Sequence, residues 1–73
     1  MYDRIREAIE AAARDEQKMA MFHYQVLSNA KSLDPADADE FCRAVGVPLT
    51  YKTEFRKMLN LARVMREQGV ELA

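Results

Sequence analysis

The sequence is poor in the residues that interrupt helices or cross-link a chain. Its 73 residues include two glycines, two prolines, one cysteine and no tryptophan. The single cysteine, Cys42, excludes an intramolecular disulfide. The chain shows no basic-then-apolar secretory signal and no apolar run near the roughly 20 residues that a membrane-spanning helix requires. We therefore expect a soluble protein of the reducing cytoplasm.

The residues that are present are typical of a globular helical protein. Apolar residues make up 49% of the chain and charged residues 32%. No segment alternates apolar and polar residues over the length of a strand. The length allows a single domain, residues 1–73, which buries only about 60% of the surface of its unfolded chain. The sequence thus predicts an all-α bundle of three or four helices, and we expect a homodimer because a second subunit would add buried surface.

The segment from Tyr2 to Ala30 has no glycine or proline and is rich in strong helix formers. Apolar and amphipathic residues recur there in steps of three and four, as on one face of a helix. This N-terminal stripe comprises Tyr2, Ile5, Ile9, Ala12, Met19, His23, Val26 and Ala30. Glu16 interrupts it. The lack of glycine and proline favours one continuous helix, and the alternative is a break at residues 14–17, where Asp15 would cap a second helix.

A second helical segment begins near the first proline. Pro35 cannot occupy a helix interior, so the N-terminal helical region ends before it. The next helix begins either at Asp34, with Pro35 in its first turn, or at Asp37, which forms a capping-box pattern with Glu40 three residues later. We expect this helix to end after about two turns at Gly46, because glycine readily adopts the left-handed conformation of a helix C-cap.

The third segment carries the clearest amphipathic pattern. Thr50 is its expected N-cap and Gly69 its expected end. The apolar residues between them follow in steps of four, three, four and three. They are Tyr51, Phe55, Met58, Ala62 and Met65. We expect Val70 to fold back on Met65 as part of a Schellman motif, and residues 70–73 to form a short tail.

Charge is unevenly distributed along the chain, although the net charge is only −1. Residues 1–49 are neutral to acidic, whereas residues 50–66 carry five basic side chains against the single acid Glu54, a local net charge of +4. The basic residues are Lys52, Arg56, Lys57, Arg63 and Arg66. A basic helix face of this kind indicates nucleic-acid binding, with a solvated helix surface as the alternative.

The order of short helix, Gly46, short connection and long helix over residues 38–58 resembles the helix-turn-helix superclass of DNA-binding domains. In that pattern a small residue lies four positions before the glycine, as Cys42 does here. Apolar residues flank the glycine, as Val45 and Val47 do. A further apolar residue is expected nine positions after the glycine, and Phe55 occupies that position.

The chain departs from the pattern six positions after the glycine, where Lys52 replaces an apolar residue. Tyr51, one position earlier, shares the apolar stripe with Phe55. We therefore expect a turn one residue shorter than the usual form.

The resemblance implies that the long helix enters the major groove of DNA and that the protein acts as a transcription regulator. The outward face of this helix carries Lys52, Thr53, Arg56, Lys57, Asn60 and Arg63. Because residues near the start of such a helix reach base edges, Lys52, Thr53 and Arg56 are candidate base contacts. Lys57 and Arg63 are candidate phosphate contacts.

A second hypothesis places the function on the N-terminal helical region. Five apolar residues there have the spacing of a helix that docks into a groove of a partner, either a second copy or another protein. They are Ile5, Ile9, Met19, Phe22 and Val26. The chain would then be a protein-interaction module, such as an adaptor or inhibitor. Alternatively the stripe folds onto its own chain, which a break near Asp15 would favour.

Catalytic and metal-binding patterns are missing from the sequence. His23 and Cys42 are too few for a zinc site with three or four ligands, and we interpret them as a hydrogen-bonded histidine and a small packing residue. The acids Asp34, Asp37 and Asp39 lack the glycine and distal glutamate of a calcium loop and are better explained by helix capping. No glycine-rich phosphate loop is present. We therefore predict a protein that is not an enzyme and needs no cofactor or metal.

Overall fold

The computed structural model describes residues 1–71, most of which lie in helices. It contains the α-helices α1 (Tyr2–Ala13), α2 (Lys18–Ser28), α3 (Ala30–Leu33), α4 (Ala38–Val45) and α5 (Lys52–Glu67), and a 3₁₀ turn at Leu49–Tyr51. No strand occurs within residues 1–71, so the all-α prediction is confirmed. The four longer helices match the predicted number, and α3 adds one turn directly after α2. Leu72 and Ala73, the end of the predicted tail, lie outside the described residues.

The N-terminal region forms two helices rather than the single helix that we favoured. The chain turns at residues 14–17, where Glu16 adopts a left-handed conformation with φ of 59°. The amide of Gln17 donates to the carbonyl of Ala12 at 3.0 Å, and the amide of Glu16 donates to that of Ala13 at 3.2 Å. These two bonds form a Schellman motif with glutamate in the usual glycine position. Asp15 does not cap α2, because Gln17 occupies the N-cap without a side-chain bond.

The start of α4 follows the second of the two predicted alternatives. Asp37 is the N-cap residue, and its Oδ1 accepts a hydrogen bond from the backbone amide of Glu40 at 3.0 Å. This bond satisfies an amide that has no partner within the helix. Asp34 instead lies at the C-terminal end of α3.

A cluster of aromatic rings forms the centre of the core. Phe41 of α4 stacks on Phe55 of α5, with 4.8 Å between the ring centroids. Phe22 of α2 lies 6.0 Å from Phe41, and the three phenylalanines are fully or almost fully buried. Tyr2 meets Phe41 edge-on at 5.3 Å, and Tyr51 meets Phe22 edge-on at 5.1 Å. These rings join α1, α2, α4 and α5 around one core.

The predicted partner face is part of this core. Ile5, Ile9, Phe22 and Val26 are each exposed by 2% or less, and Met19 alone remains accessible, at 37%. The turn at residues 14–17 lets α1 pack on α2, so the apolar residues of these two helices bury one another. This is the alternative in which the stripe folds onto its own chain, and these four side chains cannot reach a partner in this fold. Within residues 1–71, no helix has the length and apolarity needed to cross a bilayer.

Candidate nucleic-acid interface

A tight turn at Gly46 connects α4 to the segment that leads into α5. Gly46 has φ of 76°. Its amide donates to the carbonyl of Arg43 at 3.3 Å, and the amide of Val47 donates to that of Cys42 at 3.0 Å. The predicted glycine C-cap is therefore a complete Schellman motif. Val47 is buried beyond the glycine, which anchors the connection to the core.

The beginning of α5 differs from the prediction. Thr50 is not an N-cap, because it lies within the 3₁₀ turn that follows Pro48, and α5 begins two residues later at Lys52. The N-cap position belongs to Tyr51, which makes no side-chain capping bond. Tyr51 packs against Phe22 and carries Lys18 of α2 above its ring, with Nζ 5.6 Å from the ring centroid. Tyr51 therefore provides the apolar contact that the helix-turn-helix pattern expects six residues after Gly46, where this chain has Lys52.

One side of α5 is buried and the other is open to solvent. Phe55 and Ala62, seven residues apart, face the core. Among the six predicted contact residues, Thr53, Arg56, Lys57, Asn60 and Arg63 are exposed, and Lys52 is half-buried. No other element of residues 1–71 covers this outer face. The far part of the same helix also exposes Leu61 and Val64, which the sequence patterns did not single out.

Three of the predicted basic contacts are paired with carboxylates. The pairs are Lys52 Nζ with Asp39 Oδ1 at 2.9 Å, Lys57 Nζ with Glu54 Oε2 at 3.2 Å, and Arg63 Nη2 with Asp34 Oδ1 at 3.7 Å. All six side chains are at least a quarter exposed, so each pair is weak and open to exchange with another anion. The positive charge of α5 is therefore partly masked by its neighbours.

Two of these carboxylates have perturbed acidity. The hydrogen bond from Lys52 holds the pKa of Asp39 below its ordinary value. The pKa of Glu54 is lowered first by the hydrogen bond from His23 and then by that from Lys57. Nε2–H of His23 donates to Oε1 of Glu54 at 2.8 Å. Both acids are therefore held in their charged form beside the basic side chains.

The other three predicted contact residues differ from the three that are paired. Within residues 1–71 Arg56 forms none of the ion pairs, although its charge contributes to the lowered pKa of Asp39, and Thr53 and Asn60 are uncharged. Nη1 of Arg63 donates to Oδ1 of Asn60 at 3.5 Å, the long limit of a hydrogen bond. Arg56 thus presents an exposed guanidinium to solvent.

The structure also brings together residues that sequence reasoning did not connect. Lys18 from α2 lies beside the start of α5 and adds a positive charge there. The partners Asp34 and Asp39 come from the segment around α4, and we had assigned both to helix capping. The pairing of Glu54 with Lys57 was readable from their i, i+3 spacing. The other contacts are tertiary and leave no periodic signal.

His23 and Cys42 have the structural roles that we predicted. His23 is partly buried and hydrogen-bonded to Glu54. Cys42 is fully buried in the core, and burial raises the pKa of its thiol, so it remains protonated and unreactive at neutral pH. Within the described part of the chain, no group of three or more histidine, cysteine or acidic residues is arranged to hold a metal ion.

Comparison with known families agrees with this geometry. A family model described as an HTH-like domain matches residues 1–68, which include all five helices. The helix-turn-helix resemblance that the sequence showed over residues 38–58 is thereby extended to α1 and α2. Comparisons with curated proteins and with solved structures gave no match.

Proposed function

The chain belongs to the HTH-like domain family, and on this premise we propose that it binds double-stranded DNA through the outer face of α5. In this function α4 braces α5, and the N-terminal half of α5 enters the major groove. A role as a transcription regulator in the cytoplasm would follow from such binding. We propose a binding protein rather than an enzyme.

The observation that carries this proposal is the exposure of the α5 outer face. A helix that reads DNA must present its side chains without obstruction, and Thr53, Arg56, Lys57, Asn60 and Arg63 are all exposed. Had another helix of the chain covered this face, recognition through it would be impossible.

The ion pairs suggest how the face engages DNA. Backbone phosphates present anionic oxygens, as do the carboxylates that pair with Lys52, Lys57 and Arg63. On binding DNA, these three side chains exchange a weak ion pair with a carboxylate for an ion pair with a phosphate. Lys18, beside the start of α5, is a further candidate phosphate contact. The carboxylates of Asp34, Asp39 and Glu54 repel DNA phosphates at short range. We therefore expect a moderate affinity for DNA that depends strongly on salt concentration.

The direct test is a fluorescence-anisotropy titration of the full chain on random duplex DNA at several salt concentrations. One copy that neutralises about four phosphates gives a slope of log K against log salt near −3.6, and a dimer with about eight contacts gives about −7. Binding that is absent at about 50 mM salt, or that does not respond to salt, contradicts the proposal.

Charge reversal locates the interface. We expect Arg56→Glu with Lys57→Glu to abolish binding, because it replaces two attractions for phosphate by two repulsions. The matched control is Arg4→Glu with Arg14→Glu, which makes the same change in charge at an exposed position of α1 and at its exposed C-cap residue. Equal losses in the two variants would mean that net charge, and not the α5 face, governs binding.

A further inference from the structure

The outer face of α5 contains two kinds of polar residue. Lys52, Lys57 and Arg63 are held by carboxylates. Arg56 is exposed and forms no ion pair within residues 1–71, and Thr53 and Asn60 are exposed, uncharged side chains that donate and accept hydrogen bonds. The first kind suits contacts to the phosphate backbone, because such contacts need only charge. The second kind carries exposed hydrogen-bonding groups that no carboxylate binds, which suits contacts to a base edge.

The spacing of the second kind places it on one line. Steps of three and four from Thr53 through Arg56 to Asn60 keep the three side chains on a single stripe of the helix. At 1.5 Å per residue the stripe is about 10 Å long, which corresponds to about three base pairs at roughly 3.4 Å each. Arg56 and Asn60 are about 6 Å apart along the axis, or about two base pairs.

We propose, on the basis of the DNA-binding function proposed above, that Arg56 and Asn60 determine the sequence specificity of α5. The guanidinium of Arg56 donates two hydrogen bonds to O6 and N7 of a guanine. The amide of Asn60 accepts from N6 and donates to N7 of an adenine about two base pairs away. The preferred sites therefore contain a guanine and an adenine at this spacing.

Competing contacts within the protein do not prevent this assignment. The bond that Arg63 donates to Asn60 is long, at 3.5 Å, and both side chains are exposed, so the amide of Asn60 exchanges it readily for a base. Arg63 lies about one turn further from the helix start that enters the groove, and it pairs with Asp34. Its role is to contact phosphate.

The experiment selects bound duplexes from a library with a randomised core, using the full chain, and then titrates the selected site and its single-base-pair variants by anisotropy. The informative variant is Arg56→Lys, which keeps the charge but loses the planar fork that pairs with guanine. Its matched control is Arg66→Lys, the same change at an exposed arginine in the last turn of α5. Asn60→Ala tests the adenine, and circular dichroism verifies that each variant folds.

We expect the wild type to prefer the guanine and the adenine by about tenfold to hundredfold each over the other bases. Arg56→Lys should lose the guanine preference while keeping the salt slope, and Asn60→Ala should lose the adenine preference alone. Arg66→Lys should change neither. Salt-dependent binding without these preferences, or with preferences that both variants retain, overturns this inference and leaves the DNA-binding function intact. Absence of any DNA binding overturns both.

Discussion

At the scale of single residues, Glu16 explains why the N-terminal break was not foreseen. Sequence reasoning looks for glycine at a left-handed helix end, because glycine has no Cβ to clash with the backbone. Here a glutamate adopts φ of 59° and closes the same pair of hydrogen bonds. The packing of α1 on α2 selects this conformation against the local preference of the residue. Gly46 and Gly69 follow the rule, and both helix ends were predicted.

Glu16→Gly should therefore stabilise the protein. The left-handed conformation costs a non-glycine residue roughly 1–2 kcal/mol, and the greater backbone entropy of glycine in the unfolded chain offsets about half of this. We expect a gain of about 0.5–1 kcal/mol in the free energy of unfolding, measured by urea denaturation. A loss of stability would mean that interactions of the Glu16 side chain stabilise the fold by more than its left-handed backbone conformation destabilises it.

The reverse change at Gly46 is the control for this reasoning. Gly46→Ala places a Cβ on a backbone with φ of 76° and 3.3 Å from Cζ of Arg6, whose flexible side chain can move aside. We expect a loss of about 0.5–1 kcal/mol from the backbone itself, because the left-handed conformation strains alanine by roughly 1–2 kcal/mol while alanine loses less backbone entropy than glycine on folding. Gly69→Ala, with φ of 75° and nothing within 4 Å of the added Cβ, separates the backbone cost from contact with a neighbour.

At the scale of helices, local signals predicted the frame of the candidate site, and tertiary contacts decided its details. The N-cap at Asp37, the glycine end of α4 and the apolar stripe of α5 depend on residues close in sequence, so they could be read directly. Thr50 failed as an N-cap because the chain after Pro48 first forms a 3₁₀ turn. The packing of Tyr51 on Phe22 fixes this geometry, and it involves residues far apart in sequence.

The contact between α4 and the start of α5 should limit DNA affinity. Asp39 pairs with Lys52 at 2.9 Å and places a negative charge where phosphates would approach. We expect Asp39→Asn to raise the affinity for random duplex DNA about threefold to tenfold at low salt, because it removes a charge that repels phosphates near the surface. The measurement is the anisotropy titration, compared at equal salt concentration.

Glu7→Gln removes the same charge from an exposed position on α1 and serves as the control. If both variants bind more tightly by the same factor, the effect comes from net charge. If Asp39→Asn binds more weakly, the carboxylate positions Lys52 for its phosphate, and the masking role assigned to this pair is wrong.

At the scale of the whole molecule, the helical class and most helix ends were predictable, but the use of the N-terminal stripe was not. The stripe has the spacing of a partner face and of a core face alike. Only the turn at residues 14–17, which brings α1 onto α2, decides between them. The same limitation applies to charge, because sequence composition gave α5 a local net charge of +4 without showing which carboxylates stand beside it.

Those carboxylates should make the stability of the domain sensitive to acid. The pKa values of Glu54 and Asp39 are lowered in the folded state, chiefly by hydrogen bonds from His23 and from Lys52 respectively. A lowered folded pKa gives stability that is present above the unfolded pKa and is lost as the pH falls through the folded value. We therefore expect the free energy of unfolding to be steady above about pH 5 and to fall below about pH 4.

Glu54→Gln should be less stable than the wild type at about pH 6 and should lose less stability on acidification. The control is Glu67→Gln, at an exposed position of the same helix with no ion pair in residues 1–71, and its stability should follow that of the wild type. Urea denaturation at each pH measures this difference, and identical acid profiles for the wild type and Glu54→Gln would show that the His23–Glu54 bond does not stabilise the fold.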